Sequence, residues 1–214
     1  MIEDGVPASS ILLFTFTKKA AGELKERVQK AIGDKAFGIT VSTYHSFCAR
    51  ILRRFCNLVQ YKENFTIIDG DVQKKFVTEI IKNLEFDLQA KEVLAFISKC
   101  KEHHWTPQQA ANRCGDEEEA KEPLVVYEKY QEELRKNNVM DFDDLIFHMV
   151  SILEKSELVR HKIYNRYRYI TADECQDSSV IDTKLIFLLT NPKTMNLCLV
   201  GDSDQAKPYW PARG

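Results

Sequence analysis

Apolar positions along this 214-residue chain change their spacing several times, and the changes divide it into segments. Ser10 to Phe16 (Ser-Ile-Leu-Leu-Phe-Thr-Phe) is a short, β-rich apolar run, the pattern of a strand buried on both faces. From Thr17 the period lengthens. Ala20, Ala21, Leu24 and Val28 recur at helical spacing, with Thr17 placed to cap the helix and Gly33 to stop it. Ile39 to Ser42 reads as a second strand. Tyr44 to Phe55 reads as a second helix, with Phe47, Ile51, Leu52 and Phe55 on one face. Strand, helix, strand, helix at this spacing predicts a parallel sheet.

From Asp71 to about Asn165 the pattern is almost wholly helical. It predicts helices over Val72–Leu84, Lys91–Lys101, Pro123–Lys136 (Pro123 being a good first-turn residue) and Phe142–Leu153. The acidic run Asp116 to Glu119 reads as a solvated loop or helix end. Asp141, Asp143 and Asp144, at the start of the last of these helices, are sufficiently explained by the helix dipole and are assigned no chemistry. After Tyr167 the α/β alternation returns, with strand Tyr169–Ala172, helix Val180–Leu189 and strand Asn196–Val200. The expected organisation is an α/β domain in two parts, residues 1–60 and 167–214, interrupted by a mainly helical insertion over 61–166.

Composition narrows the function classes. Hydrophobic residues at 44% and charged residues at 29% are ordinary for a soluble globular protein. With 30 basic against 32 acidic residues the net charge is −2, so any nucleic-acid binding must come from a local surface. No apolar run reaches the ~18 residues of a membrane span. The start, Met1-Ile2-Glu3-Asp4, has neither the charged nor the apolar region of a signal peptide. The six cysteines contain no Cys-x-x-Cys pair, which suits a reduced intracellular protein (cytoplasm or nucleoid in a bacterium, nucleus or organelle in a eukaryote). Cys100, His103, His104 and Cys114 match the spacing of no common zinc module and read as ordinary helix and loop residues.

Four blocks carry candidate chemistry. Tyr169 to Ala172 ends in Asp173-Glu174, and ligands of an open parallel sheet sit at the carboxyl ends of its strands. A nucleoside triphosphatase needs such a pair, Asp173 to hold Mg²⁺ and Glu174 to orient or deprotonate water. Leu197 to Gln205 repeats the arrangement on a second strand, with Gly201 for a tight turn and Gln205 as a sensor of a terminal phosphate. At Thr15-Phe16-Thr17-Lys18-Lys19, hydroxyls, a ring and two cations meet at a strand-to-helix junction, and Thr43-Tyr44-His45-Ser46 offers a similar mixture at the next. Each block suits helix capping as well as a phosphate or base contact, and together they suggest one single-strand track. His45 is as good a structural hydrogen-bonder as a base contact. A phosphate-cradling loop requires Gly-x-x-x-x-Gly-Lys-Ser/Thr, and none of the eight glycines here is followed by lysine.

Taken in order, these blocks resemble the UvrD/Rep-type family of superfamily 1 DNA helicases, from about Ile11 to Trp210. The family's Thr-Phe-Thr-Asn-Lys-Ala-Ala block is Thr15 to Ala21 here, with Lys18 where Asn is typical. Its Thr-Phe-His-Ser block is Thr43 to Ser46, with Tyr44 where Phe is typical. Its Asp-Phe-Asp-Asp-Leu, Asp-Glu-x-Gln-Asp and Gly-Asp-x-Asp-Gln blocks are Asp141 to Leu145, Asp173 to Asp177 and Gly201 to Gln205. The resemblance implies a RecA-like fold, here incomplete, with ATP as substrate and Mg²⁺ on Asp173. It implies Glu174 as catalytic base and Gln205 as the link between nucleotide and DNA. Single-stranded DNA would lie on Phe16, Thr17, Lys19, Thr43 and His45, with Trp210 stacking on a base. Pro208 and Pro211 stand where the family carries Tyr and Arg.

The expectation is one half of a two-domain 3′–5′ motor, beginning after the phosphate loop and lacking its partner motor domain, and therefore without ATPase activity of its own. The alternatives are a non-catalytic single-strand-binding or regulatory module, a metal-dependent nuclease on Asp173, Glu174, Asp202 and Asp204, and a truncated gene product with no independent activity.

Overall fold

In the computed structural model, which describes residues 2–3, 5–114 and 116–202, the first apolar run forms strand β1 (Ile11–Thr15), buried along nearly its whole length. Thr17 caps the helix that follows, α1 (Lys18–Ile32), by accepting the Ala20 N–H at 3.0 Å. Gly33 ends it at φ 57, a left-handed conformation that glycine adopts without steric cost. Strand β2 (Thr40–Thr43) leads directly into α2 (Tyr44–Phe55), where the Thr43 hydroxyl accepts the Ser46 N–H at 3.2 Å. The chain forms two compact units. One holds the residues up to Arg50 and those from Met149 onward, and the other is Ile51–His148.

The second unit is helical apart from a two-residue parallel pair, β3 (Thr66–Ile67) with β4 (Val139–Met140). Between these strands lie α3 (Gly70–Asn83), α4 (Ala90–Glu102), α5 (Pro107–Cys114) and α6 (Glu118–Lys136), and α7 (Phe142–Lys155) follows. Helix α6 starts five residues before the expected Pro123, so Glu118 and Glu119 occupy its first turn, where the helix dipole favours carboxylates. Val77, Ile81, Val93, Ile97, Tyr127 and Leu134 form the centre of the core.

At the start of α7 the acids do more than answer the helix dipole. Asp141 caps the helix by accepting the Asp144 N–H at 2.8 Å. Lys101, from α4, places Nζ 2.6 Å from Asp141 Oδ2 and 2.7 Å from Asp144 Oδ1, with all three side chains buried. Tyr130 donates to Asp141 Oδ2 at 3.0 Å and Gln131 to Asp144 Oδ1 at 3.2 Å. Burial alone would lower the Lys101 pKa. The two carboxylates outweigh it and hold the ammonium well above its ordinary range.

The chain re-enters the first unit within α7, at Met149, and continues through α8 (Glu157–Arg166), β5 (Tyr169–Ala172), α9 (Val180–Leu189) and β6 (Leu197–Leu199). The four long strands form one small sheet in the order β2-β1-β5-β6, every neighbouring pair parallel, with helices packed around it, the arrangement of a RecA-like fold. Its register is explicit: Thr15 pairs with Thr43, Phe14 with Ala172, and Ala172 with Leu199. Phe14 anchors the core. Its ring stacks on Tyr44 at 4.7 Å and meets Phe47 edge-on at 5.2 Å, and Phe47 in turn meets Tyr167 at 5.6 Å. Helix α9 carries a complete capping box, Ser179 with Asp182. The six cysteines are free thiols.

Candidate functional site

Because all four strands run in one direction, their carboxyl ends lie along a single edge of the sheet, and each of the four chemical blocks begins there. At the end of β5 the Asp173 N–H still donates to the Phe14 carbonyl at 3.0 Å, which holds the first acid beside β1. Asp173 Oδ1 accepts the Glu174 N–H at 3.0 Å. Glu174 then takes φ 54, in the left-handed region, before a 3₁₀ turn over Cys175–Asp177. Gln60, Glu85, His104 and Asn138 also have positive φ, each after a helical end, where that conformation is common, as does Met195 just before β6. Glu174 instead joins a strand to a turn, at a backbone cost of roughly 1–2 kcal/mol. The bend leaves the Glu174 side chain exposed while Asp173 is half-buried.

Gln176 links the two acid-bearing strand ends, a role the sequence did not reveal. Its amide nitrogen donates to the Glu174 carboxylate, and its Oε1 accepts the Asp202 N–H at 3.2 Å. The side chain is buried. Gly201 packs closely against this turn without a positive φ: a Cβ there would lie 2.6 Å from Gln176 Oε1, the far end of a side chain, and 3.2 and 3.3 Å from the backbone nitrogens of Cys175 and Gln176. Two backbone bonds close the same corner, Cys175 N–H to the Val200 carbonyl at 2.9 Å and Val200 N–H to that of Ala172 at 2.8 Å. Burial pushes the Cys175 thiol up to about 11, so it packs as an inert small group.

The ends of β1 and β2 emerge side by side. Phe16 is half-buried and meets Tyr44 edge-on at 5.4 Å. Thr17 is exposed, and its hydroxyl is used as the α1 cap. Lys19 is exposed, with Glu23 3.9 Å from its ammonium. Thr43 is buried, its hydroxyl 2.9 Å from Ser46 Oγ, and His45 is half-buried. The register therefore brings Phe16, Thr17, Lys19, Thr43 and His45 to one end of the sheet, beside Asp173 and Glu174. Gln205 and Trp210 lie outside the described residues. In the helical unit, the His103 ring nitrogen Nδ1 lies 2.9 Å from the Lys99 carbonyl, and Cys114 donates to that of Ala110 at 3.0 Å.

The small parallel sheet has the arrangement of a RecA-like fold, and comparison with known families gives the particular branch. The UvrD/REP helicase N-terminal domain matches residues 1–207, and the chain belongs to that family. Its curated relatives include the ATP-dependent DNA helicase PcrA of Staphylococcus aureus (strain Mu50), 40% identical over 211 residues, and PcrA of Staphylococcus epidermidis, 38% identical over 211 residues. The alignments cover 97% of this chain but only 29% of either relative. Among the described residues, no helix is long and apolar enough to cross a membrane.

Proposed function

We propose that this chain supplies the first motor domain, or part of it, to an ATP-dependent helicase that moves 3′ to 5′ on single-stranded DNA. The observation carrying this reading is the shared sheet edge, where the acids of β5 stand next to the polar-aromatic ends of β1 and β2. Asp173 is the ligand for Mg²⁺. Among the described residues no three His, Cys, Asp or Glu side chains gather as a metal site. Mg²⁺ is commonly held by one or two carboxylates together with substrate phosphates. Bound there, the ion would offset charge on the transferred phosphoryl group. Glu174, exposed at the bend and oriented by Gln176, positions and deprotonates the attacking water. Phe16 and His45 contact bases, while Thr17, Lys19 and Thr43 hold the strand by its phosphates. Gln205 couples nucleotide to DNA, and Trp210 stacks on a base.

ATP turnover by the proposed helicase also requires a phosphate-cradling loop and an opposing cation supplied by a second motor domain, its partner. The purified chain is expected to bind Mg-ATP weakly and to hydrolyse none, with or without oligo-dT. Turnover stimulated by DNA that survives purification and disappears in Glu174→Gln would overturn this. In a protein carrying both motor domains, Glu174→Gln should lower hydrolysis by roughly 10²–10⁴-fold while leaving strand binding intact. A second reading is a single-strand-binding module without catalysis, which the polar-aromatic ends of β1 and β2 would equally serve. On that reading, salt-sensitive binding to single strands would show no nucleotide effect in either setting.

A further inference from the structure

Strand β2 is one edge of the sheet and pairs only with β1. Its Thr40, Val41 and Ser42 are half-buried, whereas β1 is closed along nearly its whole length. An edge strand turns a row of backbone N–H and C=O groups outward, and proteins guard such rows with charge, proline, bulges or shortness. Thr40-Val41-Ser42-Thr43 carries no charge and no proline, and its register with β1 runs unbroken from Leu12–Thr40 to Thr15–Thr43. Only its length of four residues protects it.

Against this edge, between α1 and β2, lies a hollow of about 160 Å³ lined by Lys25, Val28, Phe37, Ile39 and Val41 among others. Phe37 is 90% exposed. A lone exposed ring is ordinary, but this one is held in place beside an apolar hollow. Its N–H donates to the Asp34 carbonyl at 3.0 Å, and the Ile39 N–H donates to that of Ala36 at 3.1 Å. Gly38 makes the turn between them at φ 103, a conformation that suits glycine. Lys25 and Lys35 are exposed, and neither has an ion-pair partner among the described residues. The acids nearest to them in sequence, Glu26 and Asp34, do not line the hollow.

We propose that the β2 edge docks an extended segment of a partner protein, which adds a strand to the sheet, sets one apolar side chain in the hollow beside Phe37 and brings a carboxylate to Lys25. Each observation fixes one property of that partner. The open row of backbone groups calls for an extended chain, since strand addition satisfies such groups directly. The hollow is smaller than the ~300–1,000 Å³ of small-molecule sites, and a cavity of ~150 Å³ holds benzene, about one apolar side chain. Side chains of a strand alternate between faces, so an acid two residues from the apolar one lies on the same face, toward Lys25. The surface runs along the flank of β2, and the inference does not rest on the function proposed above.

The test titrates the isotope-labelled 214-residue chain with the peptides Thr-Glu-Thr-Leu-Thr-Glu-Thr and Thr-Glu-Thr-Phe-Thr-Glu-Thr, followed by backbone amide NMR. Versions with Asn at the centre, or with Lys in place of both Glu residues, serve as controls. Saturable shifts are expected at residues 25–29 and 36–43 with the Leu or the Phe peptide, and weaker binding with either control. Phe37→Ala and Val41→Lys should each weaken binding roughly tenfold or more, the first by removing apolar contact and the second by guarding the edge. Phe37 lies at the surface, so Phe37→Ala decides alone if Val41→Lys does not fold. The proposal is overturned if neither Glu peptide gives a saturable shift at millimolar concentration. It is overturned equally if the Lys peptides bind as well, or if Phe37→Ala binds like the parent. A dimer of the chain in sedimentation velocity that dissociates in Val41→Lys would assign the edge to a second copy and also overturn it.

Discussion

Replacing Lys101 by Met would leave Asp141 and Asp144 facing each other in a buried site, with no cation to offset them. Loss of one partner from a buried ion pair costs about 3–5 kcal/mol, so Lys101→Met should lower the urea midpoint of the helical unit sharply. A loss below ~1 kcal/mol would mean that the pair is solvated. His148 belongs to the same unit. Burial, reinforced by the Lys101 charge, depresses it to about 3, with Arg135 and His104 acting in the same direction and Asp141 opposing them. The unfolded chain takes up this proton near pH ~6.5, so the contribution is fully present above that value. It drains away as the pH falls toward 3, by up to ~1.4 kcal/mol per pH unit. Stability of His148→Gln should therefore fall less steeply than the parent's between about pH 6 and pH 4. Gly201→Ala presses a Cβ onto Gln176 Oε1 and should destabilise by about 1–3 kcal/mol, which chemical denaturation would detect.

At the scale of elements, legibility followed locality. The bounds of α2 and α9, the Thr17 cap and the Gly33 stop all rest on residues within a turn of one another, and sequence contains those. Helices α5 and α8 escaped. Few side chains of α5 are buried, and α8 leaves Leu158 exposed while burying Val159 and Ile163, so neither shows a clean apolar stripe. The pair β3–β4 escaped because two residues per strand carry no period. What was invisible was tertiary: the Lys101 pairing across 40 residues of chain, and the Gln176 link across 26. The acids Asp173 and Glu174 were legible as a motif, but the bend at Glu174 and its Gln176 partner were not. Caps offer a test at this scale. Ser179→Ala removes the hydroxyl half of the α9 capping box and should cost about 1 kcal/mol, measurable by thermal melting, whereas a neutral outcome would mean that Asp182 caps the helix unaided.

For the whole molecule, the chain belongs to the UvrD/REP helicase N-terminal domain family, and its near-neutral charge makes the strand binding proposed for it depend on the local set at the β1 and β2 ends. The low share of its relatives' length that the chain spans makes autonomous strand binding the decisive property. Fluorescence anisotropy of labelled oligo-dT, titrated with the purified chain across a salt series, measures it directly. Binding should weaken steadily as salt rises, since phosphate contacts release counterions, and should drop further in a folded Phe16→Ala variant. A well-folded chain that leaves oligo-dT unbound at low salt, or that binds it equally well without Phe16, would contradict the account.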